Sequence, residues 1–381
     1  MHLTPLIWHY FLAGLHGIER FYRSPIRGLS AATRVPPPDA TRREGPCRGP
    51  FLCGRPTSVQ PRIDRFRRKR TILKSEAGKL KGVQDMNKVL VAGATGYLGQ
   101  FVVKALKKKG YWVRALGRSA EKLASVGEHA DDLFVGEVAN PKSLHGLCDS
   151  IDIVFSSVGI TRQKDGLTYK DVDYQANRNL LTMAEAADVA QFMYVHVLNA
   201  EKLRHVAMIR AKQAFVDELR QSALDHVVIC PAGFFSDMEE FLSMARSGRV
   251  YLFGDGLSRI NPIHGADLAE VCASALESRE SQIDVGGPEV FTYREIAGLA
   301  FGVLDQPEKI TCIPKPLVYA TVGAMRWLTP LKVYGPIEFM ASVMTMDVLG
   351  KPYGQRRLAD HFRDCRRPIG SKSSEDHPLP V

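Results

Sequence analysis

The chain has 381 residues, 45% of them hydrophobic and 24% charged, an ordinary balance for a globular protein with room for one large domain or two. Its formal net charge of +10 is uneven: residues 1–85 hold 17 Lys and Arg against 6 Asp and Glu, and residues 86–381 hold 34 against 35. The basic character therefore lies in the leader, which excludes nucleic acid as a partner of the near-neutral remainder. Seven scattered cysteines form no CxxC pair and no Cys/His group with zinc spacing, so no metal is expected and the thiols suit a reducing compartment such as the cytoplasm.

Residues 1–85 are expected to form a disordered basic leader, rich in Arg, Pro and Gly and without periodicity. Three readings stand for it: sequence upstream of a true start at Met86, which is preferred; an organelle-targeting peptide, which would place the protein in a plastid or another organelle; or an arm for anionic surfaces. From Lys88 strand and helix patterns alternate. KVLVAGA (88–94) is a continuous apolar run of buried parallel-strand type. YLGQFVVKALKKKG (97–110) is an amphipathic helix ending in lysines and a glycine stop. Further strands are predicted at 111–118, 133–138, 151–159, 192–198 and 226–233, with helices over 171–190 and 203–223. The alternation predicts an α/β fold, a Rossmann-like doubly wound parallel sheet. Residues 86–234 would form the NAD(P)-binding domain and 235–366 a smaller substrate lobe sharing some of its core. Residues 367–381 would be a flexible tail. In the later part, Thr292 and Glu295 have capping-box spacing. The apolar segment 316–328 is too short to span a bilayer, so packing comes first and peripheral membrane contact at most second.

Gly93, Gly96 and Gly99 follow the first strand and open the first helix, the context in which a glycine triplet cradles a pyrophosphate on a helix N-terminus. Thr95, Tyr97 and Leu98 belong to the same loop. At the end of the second strand Arg118 stands where an NAD site carries an acid, which favours a 2′-phosphate and hence NADP(H). Glu137 and Val138 end the third strand beside the expected adenine. Ser157, Val158 and Gly159 end the fourth beside the nicotinamide ribose, and Pro231, Gly233 and Phe234 complete the rim. The alternatives are an ordinary βα turn for the glycines and an exposed strand-end arginine for Arg118.

These motifs resemble the atypical, NmrA-like branch of the short-chain dehydrogenase/reductase superfamily, and within it the divinyl chlorophyllide 8-vinyl reductases. The matching stretches are VLVAGATGYLGQFVVKAL, VDYQANRN, RAKQAFVDEL, YLFGDG with PIHGADLA, VGGPEVFTYRE and YGQRRLADHF, spanning about Val89 to Phe362. The resemblance implies an NADPH-dependent oxidoreductase that reduces a conjugated C=C, such as the 8-vinyl group of a tetrapyrrole. Its rival is a non-catalytic NADP(H)-binding redox sensor or assembly factor. The superfamily's Tyr-x-x-x-Lys pair appears here as Met208 and Lys212, and its strand serine as His196. Tyrosine-assisted carbonyl reduction is therefore not expected. Lys212 would hold the nicotinamide ribose, and His196 or Lys212 would supply a proton, with His205 and His264 as weaker candidates. Phe234, Phe235, Met238, Phe241, Leu242 and Met244 would line an apolar pocket or simply pack, while Asp237, Glu239 and Glu240 would form a solvated helix face.

Overall fold

The computed structural model describes residues 87–160 and 166–366. The expectations for 1–85 and for 367–381 lie outside these residues. Eight strands make the main sheet, six of them from the first half of the described chain: β1 (Lys88–Ala92), β2 (Trp112–Gly117), β3 (Asp132–Val135), β4 (Ile153–Ser156), β5 (Gln191–Val195) and β6 (Asp225–Pro231). Beyond β6 come β7 (Val250–Phe253), β8 (Arg259–Ile260), β9 (Gln282–Gly286), β10 (Phe291–Thr292), β11 (Ile310–Ile313) and β12 (Lys351–Pro352). The sheet order is β12-β9-β6-β5-β4-β1-β2-β3, with every neighbouring pair parallel. β8 pairs with β10 and β7 with β11 in two small ribbons.

The strands read as apolar runs because both faces are covered. Leu90, Ala92, Val154, Phe192, Tyr194 and Val228 face one apolar cluster; Val89, Val91, Val113, Phe155, Met193 and Ile229 face the other. Helices supply the covers: α1 (Tyr97–Lys108), α2 (Asn177–Ala186), α3 (Ala207–Leu219), α4 (Phe235–Arg246), α5 (Gly265–Ala275), α6 (Tyr293–Val303), α7 (Lys315–Leu328), α8 (Leu331–Met344) and α9 (Leu358–Arg366). α1 and α5 pack on the second cluster. One core cluster runs from Leu90 to Phe362, and β9 and β12, from beyond residue 234, extend the same sheet as β1.

Local differences from the sequence pattern have physical causes. The helix expected from residue 171 begins as a π-helical stretch, Lys170–Ala176, before α2 continues it. Such widened turns commonly serve to place a side chain. After β2 only one helical turn forms, Ala120–Leu123, capped by Ser119 Oγ accepting from the Lys122 N–H. The box at Thr292 and Glu295 caps α6 as expected. Along α7, Val318, Thr321, Val322 and Met325 are buried while Trp327 and Leu328 at its end are exposed. No helix among the described residues is long and apolar enough to cross a membrane.

Candidate active site

The chain reverses its winding between β1, which pairs with β2 on one side and β4 on the other. Ligands of doubly wound sheets collect beside the carboxyl ends of strands at such a switch point. Here those ends carry the glycine loop (after β1), Arg118 (after β2), Glu137 and Val138 (after β3), Ser157 to Gly159 (after β4) and Ala232 to Phe234 (after β6).

The loop is built by its own backbone. Gly93 has φ +84°, a left-handed conformation that glycine adopts without strain, and its carbonyl accepts the Gly96 N–H at 2.9 Å. A Cβ on Gly99 would stand 2.0 Å from that same carbonyl oxygen, so strand end and helix can meet only over glycine. No side chain caps α1 and no acid lies in its first turn. The N-terminal amides and the positive end of the helix dipole are thus left for an anion, which fits a pyrophosphate group. Thr95 and Leu98 lie in the loop and the first turn; Leu98 is buried against the sheet. The Tyr97 ring meets Phe101 and Phe234 edge to face, at 5.5 and 5.8 Å between centroids. Its hydroxyl accepts the Gly265 N–H at 3.1 Å, joining the loop to α5. Burial pushes the Tyr97 phenol up to about 12, so it stays protonated.

At the outer end of this row Arg118 and Glu137 approach to 3.9 Å, both partly exposed. The Glu137 N–H donates to Ser143 Oγ, and the Val138 carbonyl accepts from Asn179 Nδ2 at 2.9 Å.

At the inner end the geometry is more elaborate than the sequence motifs suggested. Lys212, on α3, is buried, with Nζ 3.3 Å from Asp173 Oδ1 and 3.3 Å from the Tyr194 hydroxyl. Burial pulls the ammonium down, but the oxygens of Tyr194 and Asp173 outweigh it and hold Lys212 above the ordinary lysine range. Burial raises the Asp173 carboxyl to about 6 against the pull of Lys212. Asp173 Oδ1 also accepts the Ile160 N–H, while Oδ2 is buried without a partner among the described residues. Asn177 ties this corner together: Nδ2 donates to the carbonyls of Val158, Val172 and Asp173, and Oδ1 accepts from Ser156 Oγ at 2.6 Å. A Cβ on Gly159 would come within 2.7 Å of both Asp173 Oδ1 and Lys212 Nζ. The end of β4 therefore lies directly against the ion pair.

Asp173, Asn177 and Tyr194 were not among the sequence candidates. The first two lie four apart in VDYQANRN, and that spacing on the helix after β4 was the available signal. Tyr194 was hidden inside an apolar strand run; burial pushes its phenol up to about 12.

The remaining candidates are less reactive. Met208 is buried in a satellite cluster with Tyr169, Leu203, Val206 and Ile209, so core packing fills the usual tyrosine position. His196 is buried and its Nε2 lies 3.1 Å from Gln213 Oε1. Burial, aided by the field of Lys212, lowers the imidazole to about 4, leaving it neutral near pH 7. His205 Nε2 lies 2.9 Å from Ser342 Oγ, and His264 Nδ1 accepts the Ala266 N–H at the start of α5. Phe235, Met238, Phe241, Leu242 and Met244 are core residues. The α4 acids are not a plain solvated face: Asp237 accepts the Phe234 N–H at 3.1 Å, and Glu239 engages His361 at 3.0 Å.

Fold and site define a class, the NAD(P)H-binding oxidoreductases of Rossmann type, and residues 93–279 match the NAD(P)H-binding family model. The chain carries a domain of that family over those residues, and its curated relatives include the following two. It is 27% identical over 278 residues to the divinyl chlorophyllide a 8-vinyl-reductase of Arabidopsis thaliana, covering 67% of this chain and 66% of that one. It is 26% identical over 246 residues to the photosystem II assembly factor Ycf39 of Trieres chinensis, covering 63% of this chain and 77% of that one. Among solved structures, the NADPH-dependent quinone oxidoreductase QOR2 of Escherichia coli has the same fold, with a TM-score of 0.59 at 14% identity over 73% of this chain and all of the other.

Proposed function

We propose that this protein is an NADPH-dependent reductase of a conjugated carbon–carbon double bond, with a vinyl-bearing tetrapyrrole of the divinyl chlorophyllide type as its substrate class. The observation that carries the reading is the pairing of a firmly anchored Lys212 with a buried Met208 in the tyrosine position. That arrangement keeps the residue that holds a nicotinamide ribose and discards the acid needed for carbonyl reduction. The named activity of the Arabidopsis relative supports the same chemistry.

In this reading Gly93, Thr95, Gly96, Tyr97, Leu98 and Gly99 hold the pyrophosphate, with backbone amides doing most of the work. Arg118 meets the 2′-phosphate, Glu137 and Val138 border the adenine, and Ser157, Val158, Gly159 and Lys212 hold the nicotinamide ribose. Pro231, Gly233 and Phe234 form the wall beside the ring. NADPH supplies a hydride to one alkene carbon, and the other carbon takes one proton, so the vinyl group becomes an ethyl group. The neutral His196 is a poor reservoir for that proton; Lys212, directly or through water, is the better one. Stopped-flow absorbance of NADPH with divinyl chlorophyllide and simple enones is the test. Saturable oxidation with the tetrapyrrole is expected, and tight NADPH binding without turnover on any of them would overturn the reading.

A second reading, an NADP(H)-binding sensor or assembly factor, is favoured by the lack of an acid at Met208 and by the likeness to the Trieres protein. A redox sensor must bind NADP⁺ and NADPH with different affinities, because a ligand pair of equal affinity shifts no equilibrium. Equal dissociation constants would remove the redox-sensing version of this reading.

Two substitutions check the cofactor assignments. Arg118→Ala is expected to weaken NADP(H) binding about 10- to 100-fold and to leave NAD(H) nearly unchanged, the loss of charged hydrogen bonds to one phosphate. Equal losses in fluorescence titrations of both cofactors would show that Arg118 does not read the 2′-phosphate. In Gly99→Ala the new Cβ meets backbone, which has no flexible end to yield. Cofactor affinity is expected to fall at least about tenfold, since opening the turn moves the amides off the phosphate.

A further inference from the structure

A cluster outside the cofactor site brings three metal-ligating side chains together. Glu239 lies on α4, and His361 and Cys365 lie four apart on α9 and so on one face of that helix. His361 Nε2 is 3.0 Å from Glu239 Oε1 and 3.8 Å from Cys365 Sγ, and all three donor atoms lie within 4.8 Å of one another. Around a tetrahedral zinc ion, nitrogen, oxygen and sulfur donors at their usual bond lengths stand roughly 3.3–3.6 Å apart. The two separations from His361 are thus within a few tenths of an ångström of that range, and the third pair lies within 4.8 Å, close enough for side-chain adjustment to enclose one ion.

We propose that Glu239, His361 and Cys365 form a site for one borderline-soft divalent cation of the zinc type, which fastens the C-terminal helix to α4. The surroundings suit it. The buried His361 ring packs among Phe235, His264 and Phe362, at 5.6, 5.7 and 6.5 Å between centroids, so its orientation is fixed by packing. Glu239 is 46% exposed, which leaves the outer coordination position open to water. Nearby charges nearly balance, with Arg246 donating to the Cys365 carbonyl and Asp364 adjacent in the chain. Binding joins the metal to the Cys365 thiolate and releases that thiol's proton, while His361 binds through the lone pair of Nε2. Carboxylate and thiolate then neutralise the dication. Ligands drawn from positions 239 and 361–365 carry no sequence spacing that marks a zinc motif.

Cobalt titration of the metal-stripped full chain under anaerobic conditions reads the site directly, since a bound thiolate gives a near-ultraviolet charge-transfer band. The band is expected to saturate at one equivalent and to vanish in Cys365→Ser, whose metal-free melting temperature should match that of the wild type. Glu239→Gln, an exposed position, should keep the band and weaken zinc binding at least about tenfold. Zinc should raise the melting temperature of the wild type and leave that of Cys365→Ser unchanged. No band in the wild type, or an undiminished band in Cys365→Ser, would overturn the proposal. Because these readouts need neither cofactor nor substrate, they stand apart from the reductase reading.

Discussion

Replacing Lys212 by methionine is expected to destabilise the protein by about 3–5 kcal/mol at pH 7 and, if the proposed reductase function holds, to abolish turnover. The reason is Asp173, fully buried against Lys212, with one carboxylate oxygen that has no partner among the described residues. Removing one member of a buried pair leaves an uncompensated charge, whereas replacing both by neutral groups is often harmless. The double variant Asp173→Asn/Lys212→Met should therefore recover most of the loss. The penalty of the single variant should also shrink as the pH falls below about 6, where the carboxyl already tends to take a proton. Urea titrations of the three proteins at pH 7 and pH 5 measure this. A cost below about 1 kcal/mol for Lys212→Met at pH 7 would mean that Asp173 is solvated, contrary to its burial.

The second large effect concerns His196 and acid. Its folded pKa is about 4, against an ordinary value of 6.5. A group held neutral by burial contributes stability that is present above the unfolded pKa and lost as pH falls through the folded one. Over that window the contribution is on the order of 3 kcal/mol, from 1.36 kcal/mol for each pKa unit. Asp173 works in the opposite direction. Its pKa is raised on folding, so its contribution is full below the unfolded carboxyl value and is lost as pH rises through about 6. The two partly cancel between about pH 4 and 6, and the wild type should show a shallow stability profile there. His196→Gln removes one side of the balance, so its stability should rise more steeply on acidification over that window. Parallel profiles for variant and wild type would contradict the assignment.

Much of this architecture was legible in the sequence because parallel strands covered on both faces must be apolar throughout. The runs at Lys88–Ala92 and Asp225–Pro231 are of that kind, and the glycine loop announces the strand that feeds it. Lys212 was also legible, four residues after Met208 on an amphipathic helix. What the sequence hid was the company Lys212 keeps. Asp173 meets it from the π-helical stretch Lys170–Ala176, a local widening that the sequence pattern did not signal. Tyr194 alternates inward on β5 like any core aromatic, and only the third dimension shows its hydroxyl beside an ammonium. The zinc-type cluster was invisible for a related reason, since its ligands meet across two helices far apart in the chain.

The placement of β9 and β12 has a consequence for how the protein is made. Six strands of the main sheet have been synthesised once the ribosome has passed Pro231, but β6 then waits for Gln282–Gly286, and that strand waits for Lys351–Pro352. A nascent chain stalled between these points carries the whole dinucleotide cradle with one flank of its sheet unpaired. Such a flank is open to pairing with another chain. Newly made molecules depend on prompt completion, or on a chaperone, more than the early appearance of the glycine loop suggests.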